Sequence, residues 1–542
     1  MRIDSRTAAL VSTPVLAASL LATLVAAAPA ASAKDARTAP ATSAEGARTA
    51  PAASAEGART VPAAAARTRT PHAARTGAAP ATPGWKRCTG ADLDPRQECA
   101  TISVPLDYAK PRGAQITLAI SRVRSERPQA RRGTLLLIPG GPGSSGINRP
   151  STLGKKLPRS VRDAYDIVGF DPRGLGGSTP ISCGLAHDDL ALVHLRPWPD
   201  ADGGIERNVS TGRRLAQTCA RNGGPVLRSI STANEARDID RIRQALGERK
   251  LSAWGVSYGT YAGAVYAQMF PRRTDRWVLD SSDDPDPKRV ARGWLANYAT
   301  GVEDAFPDFA AWAADPGNPH RLADSADEVR PLFLKLAARL DRAPIPWPGA
   351  NPAELNGNVL RQSLLDALYS TTRFPALARL IRAARDGSPL PAPNTPPDEA
   401  LQSSVAVSAA TICNDVSWPA SIPDYERDVA ESRRTHPLTA GLPANLMPCA
   451  FWPYAPKEKP VRITPGGPSN VLMIQNRRDP STPLVGALRM REALGGRARM
   501  VTVDAVGHGA YRANGNACGD AAVTDFLVRG DRPARDVSCP AA

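Results

Sequence analysis

The sequence has few of the residue patterns that mark metal or nucleic-acid chemistry. Among its 542 residues, eight are cysteines and six are histidines, and no C-x-x-C pair or zinc-type Cys/His spacing occurs. No metal or cofactor is therefore predicted. Lys and Arg outnumber Asp and Glu by 68 to 52, but the arginines are scattered, without a dense run or interleaved aromatic residues. No nucleic-acid partner is predicted, and weak adhesion to an anionic cell envelope stays open.

Apolar runs long enough to cross a membrane are also missing beyond the first residues of the chain. Residues 1–33 combine a basic start (MRIDSR), an apolar stretch (PVLAASLLATLVAAA) and a small-residue ASA that ends at Ala33, which is the pattern of a cleaved signal peptide. The stretch is short for a membrane anchor, and no cysteine lies beside the cleavage site for lipid attachment. We therefore expect a secreted protein without stable membrane insertion.

The cysteines agree with export, because an even number of cysteines in an exported chain predicts disulfides. Many pairings are possible. Bonds between sequence neighbours are the simplest and would close local loops. They pair Cys88 with Cys99, Cys183 with Cys219, Cys413 with Cys449, and Cys518 with Cys539.

Composition and pattern divide the rest of the chain into four segments. Residues 34–83 contain an 11-residue repeat (ARTAPATSAEG, ARTAPAASAEG) with little to bury, which predicts a low-complexity propeptide or stalk. Residues 84–282 alternate apolar strands with helices, and residues 469–542 resume that pattern. Residues 283–468 read as helices and Pro-rich loops. The pattern predicts an α/β fold, with a mostly parallel sheet interrupted by a helical insertion.

A G-x-S-x-G motif lies where a predicted strand meets a predicted helix. In KLSAWGVSYGTYAG (250–263), Ser257 has Gly255 before it and Gly259 after it. Small flanking residues allow a turn sharp enough to present the serine oxygen to a substrate. The alternative is an ordinary glycine-rich turn.

A nucleophilic serine needs a histidine base, and the histidine needs a carboxylate to orient it. Three histidines follow Ser257, and two of them lie in the insertion. His508 follows a predicted strand in VDAVGHGAY, and Asp479 follows the preceding one in VLMIQNRRDPSTP. The order serine, acid, histidine predicts a triad of Ser257, Asp479 and His508. An aspartate that only shapes the turn before Pro480 is the alternative for Asp479.

A second glycine loop follows an earlier predicted strand. IPGGPGSSG (138–146) can bring backbone N–H groups to an oxyanion, with Gly141 as first candidate and Gly140 as second, beside the N–H of Tyr258. No G-K-[ST] follows it, which excludes a phosphate loop. In FDPRGLGGS (170–178), Asp171 and Arg173 are expected to brace a turn.

Taken together, GGPG, FDPRGLGGS, GVSYGT, NRRDPSTP and GHG resemble the α/β-hydrolase peptidases related to proline iminopeptidase, and most closely the exported tripeptidyl aminopeptidases of actinobacteria with a TAP-like C-terminal segment. The resemblance covers residues 84–542 and implies a helical cap (283–468) inserted between nucleophile and acid. One departure is Pro139, where proline iminopeptidases usually carry histidine.

The family holds the substrate amine with acidic cap residues that cannot be matched here position by position. Candidates are Glu303, Asp304 and Asp415, each of which could instead lie on a solvated helix face or in a turn.

The resulting prediction is a secreted serine exopeptidase that releases short peptides, chiefly tripeptides, from free N-termini. An esterase or other small-molecule acyl hydrolase with the same triad is the first alternative. A catalytically inactive hydrolase fold used as a binding protein is the second. The oligomeric state is not predicted.

Overall fold

The computed structural model describes residues 82–288 and 290–542, so the predicted signal peptide and nearly all of the predicted low-complexity segment lie outside the described residues. The strands are β1 (Lys86–Arg87), β2 (Glu98–Pro105), β3 (Gln115–Val123), β4 (Gly133–Ile138), β5 (Tyr165–Phe170), β6 (Leu251–Ser257), β7 (Thr274–Ser282), β8 (Ile345–Pro346), β9 (Glu354–Leu355), β10 (Val471–Arg478), β11 (Ala498–Val506) and β12 (Val537–Cys539).

The helices are α1 (Arg149–Thr152), α2 (Arg159–Ala164), α3 (Leu192–Leu195), α4 (Glu206–Asn222), α5 (Gly224–Leu227), α6 (Thr232–Ala245), α7 (Tyr258–Met269), α8 (Arg292–Ala314), α9 (Ala326–Arg342), α10 (Gly357–Leu368), α11 (Phe374–Asp386), α12 (Asp398–Asp415), α13 (Ile422–Thr435), α14 (Leu484–Leu494) and α15 (Ala517–Arg529).

A ten-stranded sheet organises the fold, in the order β1-β2-β3-β5-β4-β6-β7-β10-β11-β12. The pairs from β1 to β5 along this order are antiparallel, and every pair from β5 to β12 is parallel. The predicted mostly parallel sheet is therefore confirmed. The sequence pattern did not indicate the short edge strands β1 and β12.

Both faces of the sheet are covered, which explains why its central strands are continuous apolar runs. All six residues of β4 are buried. Leu136 and Ile138 pack into one apolar cluster with α6 and α7, whereas Leu135 and Leu137 pack into a second cluster with α2 and α15. Because successive side chains of a strand point to opposite faces, α6 and α7 lie on one face of the sheet and α2 and α15 on the other.

Between β7 and β10 the described residues form six α-helices, α8 to α13, and one two-stranded ribbon, β8 with β9. The expected helical character of residues 283–468 is thus observed. Their delimitation as a separate cap domain stays a prediction.

The neighbour pairing of the cysteines is confirmed for all four disulfides: Cys88–Cys99, Cys183–Cys219, Cys413–Cys449 and Cys518–Cys539. Disulfides of this kind fit a protein that matures in an oxidising compartment. In the described part of the chain, no helix is both long and apolar enough to span a membrane.

Candidate active site

The turn between β6 and α7 carries Ser257 in a strained backbone conformation, with φ 61° and ψ −131°. A non-glycine residue at positive φ is uncommon and costs about 1–3 kcal/mol, so it persists only where the surroundings impose it. A Cβ atom on Gly259 would lie 2.6 Å from the Ile138 oxygen, and one on Gly255 would collide with the Gly259 carbonyl. Both flanking glycines are therefore required by close backbone approach, as the motif predicts.

Asp479, which follows β10, is fully buried and saturated with hydrogen bonds. Its Oδ1 accepts the backbone N–H groups of Ser481 and Thr482, each at 2.9 Å, and its Oδ2 accepts the Thr482 hydroxyl at 3.0 Å. The Nδ1 atom of His508 lies 3.0 Å from both carboxylate oxygens. The structure thus brings the predicted acid and base together. The turn-shaping role of Asp479 is present as well, because its own turn supplies three of the donors.

The loop that carries His508 is tied to the strand next to the nucleophile. Asp280 pairs in register with Val256, and its carboxylate accepts the N–H groups of Ala510 and Tyr511 at 2.8 and 3.0 Å. On the other side, the N–H of His508 donates to the Tyr369 carbonyl at 2.9 Å, and the two rings meet edge to face, 4.9 Å apart. The imidazole is therefore held from both the sheet and the inserted helices.

Two opposing effects act on the pKa of His508. Burial lowers it, but the charge and hydrogen bond of Asp479, together with the charges of Asp280 and Asp283, outweigh burial, so the pKa lies above its usual 6.5. Within the described residues, no hydrogen bond joins Ser257 Oγ to His508. Such contacts are often long before substrate binds.

The glycine loop after β4 lies against the nucleophile turn. A Cβ atom on Gly140 would be 2.8 Å from the Val256 oxygen and 3.1 Å from the Ser257 Cβ, so only glycine fits there. Gly141 has a φ of 109°, a conformation that favours glycine. The N–H of Tyr258 lies at the N-terminus of α7, where helical N–H groups have no intrahelical partner. The oxyanion role of these three residues stays a prediction that this packing favours.

Asp171 braces this loop from the neighbouring strand. Its Oδ1 accepts the Ser145 hydroxyl at 2.5 Å and the N–H groups of Gly146 and Ile147 at 3.0 and 3.1 Å. Arg173 is buried in an ion pair with Asp238. The structure therefore agrees with the bracing role expected for both residues.

Two acids, Glu235 and Asp415, lie beside Tyr258, the residue after the nucleophile, and neither forms an ion pair with a basic residue in the described part of the chain. The Tyr258 hydroxyl donates to Glu235 Oε2 at 2.9 Å and lies 3.0 Å from Thr232 Oγ1, which donates to Asp415 Oδ2 at 2.5 Å. Burial raises the pKa of Glu235 to about 8 and that of Asp415 to about 6. Glu235 Oε1 has no hydrogen-bond partner among the described residues. Buried carboxyl groups of this kind are stabilised by an incoming cation.

Asp283 is a further buried acid, just past the end of β7. It is 3% exposed, and its Oδ2 has no hydrogen-bond partner in the described ranges. Burial raises its pKa to about 8, against the attraction of His508. Ser282, the preceding residue, is in register with Ser257, so Asp283 lies at the same edge of the sheet as the predicted triad.

The three candidate amine ligands occupy different surroundings. Glu303 on α8 forms an ion pair with Arg330 of α9, at 2.5 and 3.1 Å, and Asp304 is exposed on α8. Asp415, at the end of α12, is buried in the acidic group beside Tyr258. Only Asp415 among the three therefore adjoins the nucleophile turn.

Asp415 also lines a cavity of about 730 Å³ between α6, α7 and residues 453–461, together with Thr232 and Tyr261. Ser257 and His508 do not line this cavity, so we place the reaction centre at the sheet edge and not in the cavity.

The sequence did not predict a role for Glu235 or Asp283. It also did not predict that Asp280 and Tyr369 contact the loop that carries His508. Asp280 and Asp283 carried a readable signal, because both lie at the end of the predicted strand DRWVLDSS, next to the nucleophile strand. Glu235 looks like an ordinary acid in the first turn of a helix. Tyr369 lies far away in the insertion, with no local signal.

A strained serine turn, followed by an acid and a histidine at the carboxyl edge of a mostly parallel sheet, defines a serine hydrolase with the α/β-hydrolase fold. Residues 439–539 match the family model described as TAP-like protein. The chain is 33% identical to the tripeptidyl aminopeptidase of Streptomyces coelicolor over 475 residues, which are 86% of this chain and 87% of the relative. The chain therefore belongs to the family of these tripeptidyl aminopeptidases.

Other relatives carry different names. Serine protease Hip1 of Mycobacterium tuberculosis is 29% identical over 81% of this chain and 87% of its own, and carboxylesterase B of the same species is 30% identical over 87% and 93%. A solved serine hydrolase from Cycloclasticus zankles is similar over 79% of this chain and 98% of its own, at 10% identity and a TM-score of 0.33.

Proposed function

We propose that this enzyme is a secreted serine exopeptidase that releases short peptides, chiefly tripeptides, from free N-termini. The observation that carries the proposal is the pair of buried acids beside Tyr258, Glu235 and Asp415, which have no ion-pair partner among the described residues. The Streptomyces relatives are named for this activity, which supports it.

In this proposal Ser257 attacks the scissile carbonyl while His508 takes the proton from its hydroxyl. Asp479 holds His508 with Nδ1 protonated and stabilises the imidazolium that forms. The N–H groups of Tyr258 and Gly141, or of Gly140, stabilise the oxyanion. His508 then gives its proton to the leaving amine, and water hydrolyses the acyl-enzyme by the same route.

The same proposal assigns the substrate ammonium to Glu235 and Asp415. Three extended residues span roughly 10 Å, so the ammonium of a tripeptide unit must be received about one side chain away from Ser257. One tyrosine side chain, that of Tyr258, and its 2.9 Å hydrogen bond to Glu235 join the carboxylate to the nucleophile turn, which is compatible with that span. The unpartnered Glu235 Oε1 offers a hydrogen-bond acceptor, and an ammonium would favour the ionised form of both acids.

Secretion is part of the proposal. It is supported by the pattern of residues 1–33, which lie outside the described residues, and by the four disulfides.

The test compares a free-amine tripeptide anilide, Ala-Pro-Ala-p-nitroanilide, with its N-acetylated form on purified protein. We expect efficient cleavage of the free amine and a loss of at least about tenfold in kcat/KM on acetylation, since a charged hydrogen bond is lost. Glu235→Gln should shrink that difference. The matched control is Glu303→Gln, whose carboxylate already pairs with Arg330 and which should leave the difference unchanged. Equal cleavage of both anilides by the native enzyme would refute the amine-directed function.

An esterase is the second candidate, because the family also contains a relative named carboxylesterase B. A short p-nitrophenyl ester distinguishes the two. Turnover of the ester without cleavage of either anilide would favour the esterase.

A further inference from the structure

Arg196 is a buried cation that the proposed mechanism does not use. It follows α3 and is 2% exposed. In the described part of the chain, none of its three guanidinium nitrogens, Nε, Nη1 and Nη2, has a hydrogen-bond acceptor. Its main chain is well tied, since its N–H donates to the Leu192 carbonyl at 2.9 Å.

A buried guanidinium without hydrogen-bond acceptors is costly, because it loses the hydrogen bonds of its water shell. Two other buried arginines have hydrogen-bond acceptors. Arg173 pairs with Asp238, and Arg497 donates to the carbonyl of Ala267. Arg196 differs from these two in that no acceptor in the described residues meets its guanidinium donors in hydrogen-bonding geometry.

Burial lowers the pKa of Arg196, but Tyr298, Tyr369 and Asp366 together raise it above its ordinary value, so its charge is partly compensated although no full counter-ion pairs with it. Its guanidinium lies over the ring of Tyr298, 5.3 Å from the centroid. Asp366 is close enough to act on its charge, but Asp366 Oδ1 already accepts the Gln362 amide, and burial raises the pKa of Asp366. The planar fork of an arginine is suited to bind a carboxylate with two parallel hydrogen bonds.

The position of Arg196 relative to the reaction centre follows from a short chain of side chains. The Tyr298 hydroxyl lies 3.0 Å from that of Tyr369, which donates to Ser481 Oγ at 2.8 Å. Tyr369 in turn packs on His508. Arg196 therefore lies on the His508 side of the centre, separated from the imidazole by tyrosine side chains.

The His508 side is also the side of the leaving group, since the histidine delivers its proton to the departing amine. We infer that Arg196 receives a carboxylate of the leaving group, so that the enzyme prefers short peptides whose free C-terminus enters the site. This inference rests on the proposed peptidase function. Because the guanidinium is enclosed by tyrosines of the inserted helices, those side chains must move apart when the carboxylate enters.

The test compares peptides that differ only at the C-terminus. Ala-Pro-Ala-Ala and Ala-Pro-Ala-Ala-Ala are each assayed as free acid and as amide, with products identified by mass spectrometry. For at least one length we expect the free acid to have a kcat/KM about tenfold or more above that of the amide, as for a hydrogen bond to a charged group. Arg196→Met should bring the ratio close to one, and Arg196→Lys should retain part of it.

The matched control is Arg497→Met, which also removes a buried arginine and should keep the native ratio. A native ratio near one at both lengths would overturn the inference, as would an Arg196→Met variant that slows acid and amide equally.

A second substrate pair separates this outcome from failure of the peptidase function. It consists of 4-acetoxyphenylacetate and its amide, whose phenolic leaving groups differ only in the carboxylate. If no peptide is cleaved, the peptidase function is refuted. The ester pair then shows whether Arg196 binds a carboxylate of the leaving group.

Discussion

The substitution Asp479→Asn tests the predicted triad through the hydrogen bonds around one carboxylate. Both backbone donors, from Ser481 and Thr482, point at Oδ1, so the asparagine carbonyl must occupy that position. Its NH₂ group then takes the place of Oδ2 and faces Nδ1 of His508, which lies 3.0 Å away. Two donors cannot face each other, and Oδ1, which also lies 3.0 Å from Nδ1, already accepts two backbone N–H groups. We therefore expect the imidazole to shift its proton from Nδ1 to Nε2.

A histidine protonated at Nε2 cannot accept the proton of Ser257. In a serine triad this change of tautomer lowers kcat by about 10⁴, which corresponds to roughly 5 kcal/mol of transition-state stabilisation. We expect a loss of that size for Asp479→Asn, measured as kcat on the tripeptide anilide. The melting temperature should stay close to native, because both backbone donors keep the amide oxygen as acceptor and the Thr482 hydroxyl can turn to accept from the NH₂ group.

Thr482→Val is the matched control. It removes the hydroxyl that donates to Asp479 Oδ2 and lies 3.3 Å from His508 Nδ1, but it leaves the Asp479–His508 pair in place, so kcat should fall only a few-fold. The reasoning is refuted if Asp479→Asn retains activity within about tenfold of native while remaining folded.

Three further predictions concern charge. The acidic limb of kcat/KM should have its midpoint above pH 6.5, since a raised pKa keeps His508 protonated and inactive at higher pH; a midpoint below 6.5 contradicts this. Asp283→Asn should raise the melting temperature relative to the native protein at pH 8 but not at pH 4. Burial raises the pKa of Asp283 to about 8, so the native protein loses stability as the pH rises toward 8, and an asparagine does not titrate. Asp238→Asn should cost about 3–5 kcal/mol in urea unfolding by leaving Arg173 buried and unpaired; a cost below about 1 kcal/mol contradicts it.

The local sequence was sufficient to predict those candidate site residues that lie at the ends of strands. Ser257 is the last residue of an apolar strand, and Asp479 and His508 lie within two residues of the ends of two others. Parallel strands bring such ends to one edge. The glycines around Ser257 were readable for the same reason, because a sharp turn with close backbone contacts excludes a Cβ atom. The disulfides also joined sequence neighbours, which required no knowledge of the fold.

Residues whose roles depend on contacts between distant segments could not be read in this way. Glu235 matters because α6 places it against Tyr258, and the sequence does not show that contact. The ion pair of Glu303 with Arg330 joins two helices, so Glu303 looked as free as Asp415 in the sequence. Arg196 lies in a segment without periodic pattern, and its lack of an acceptor emerges only from the packing around it.

The most direct test of the central claim is labelling of the folded protein with a fluorophosphonate probe, followed by peptide mass mapping. The account predicts one phosphonyl group on the peptide that contains Ser257, and no labelling of a folded Ser257→Ala variant. A folded native protein that takes up no label, or that carries it on another serine, would contradict the assignment of Ser257 as the nucleophile.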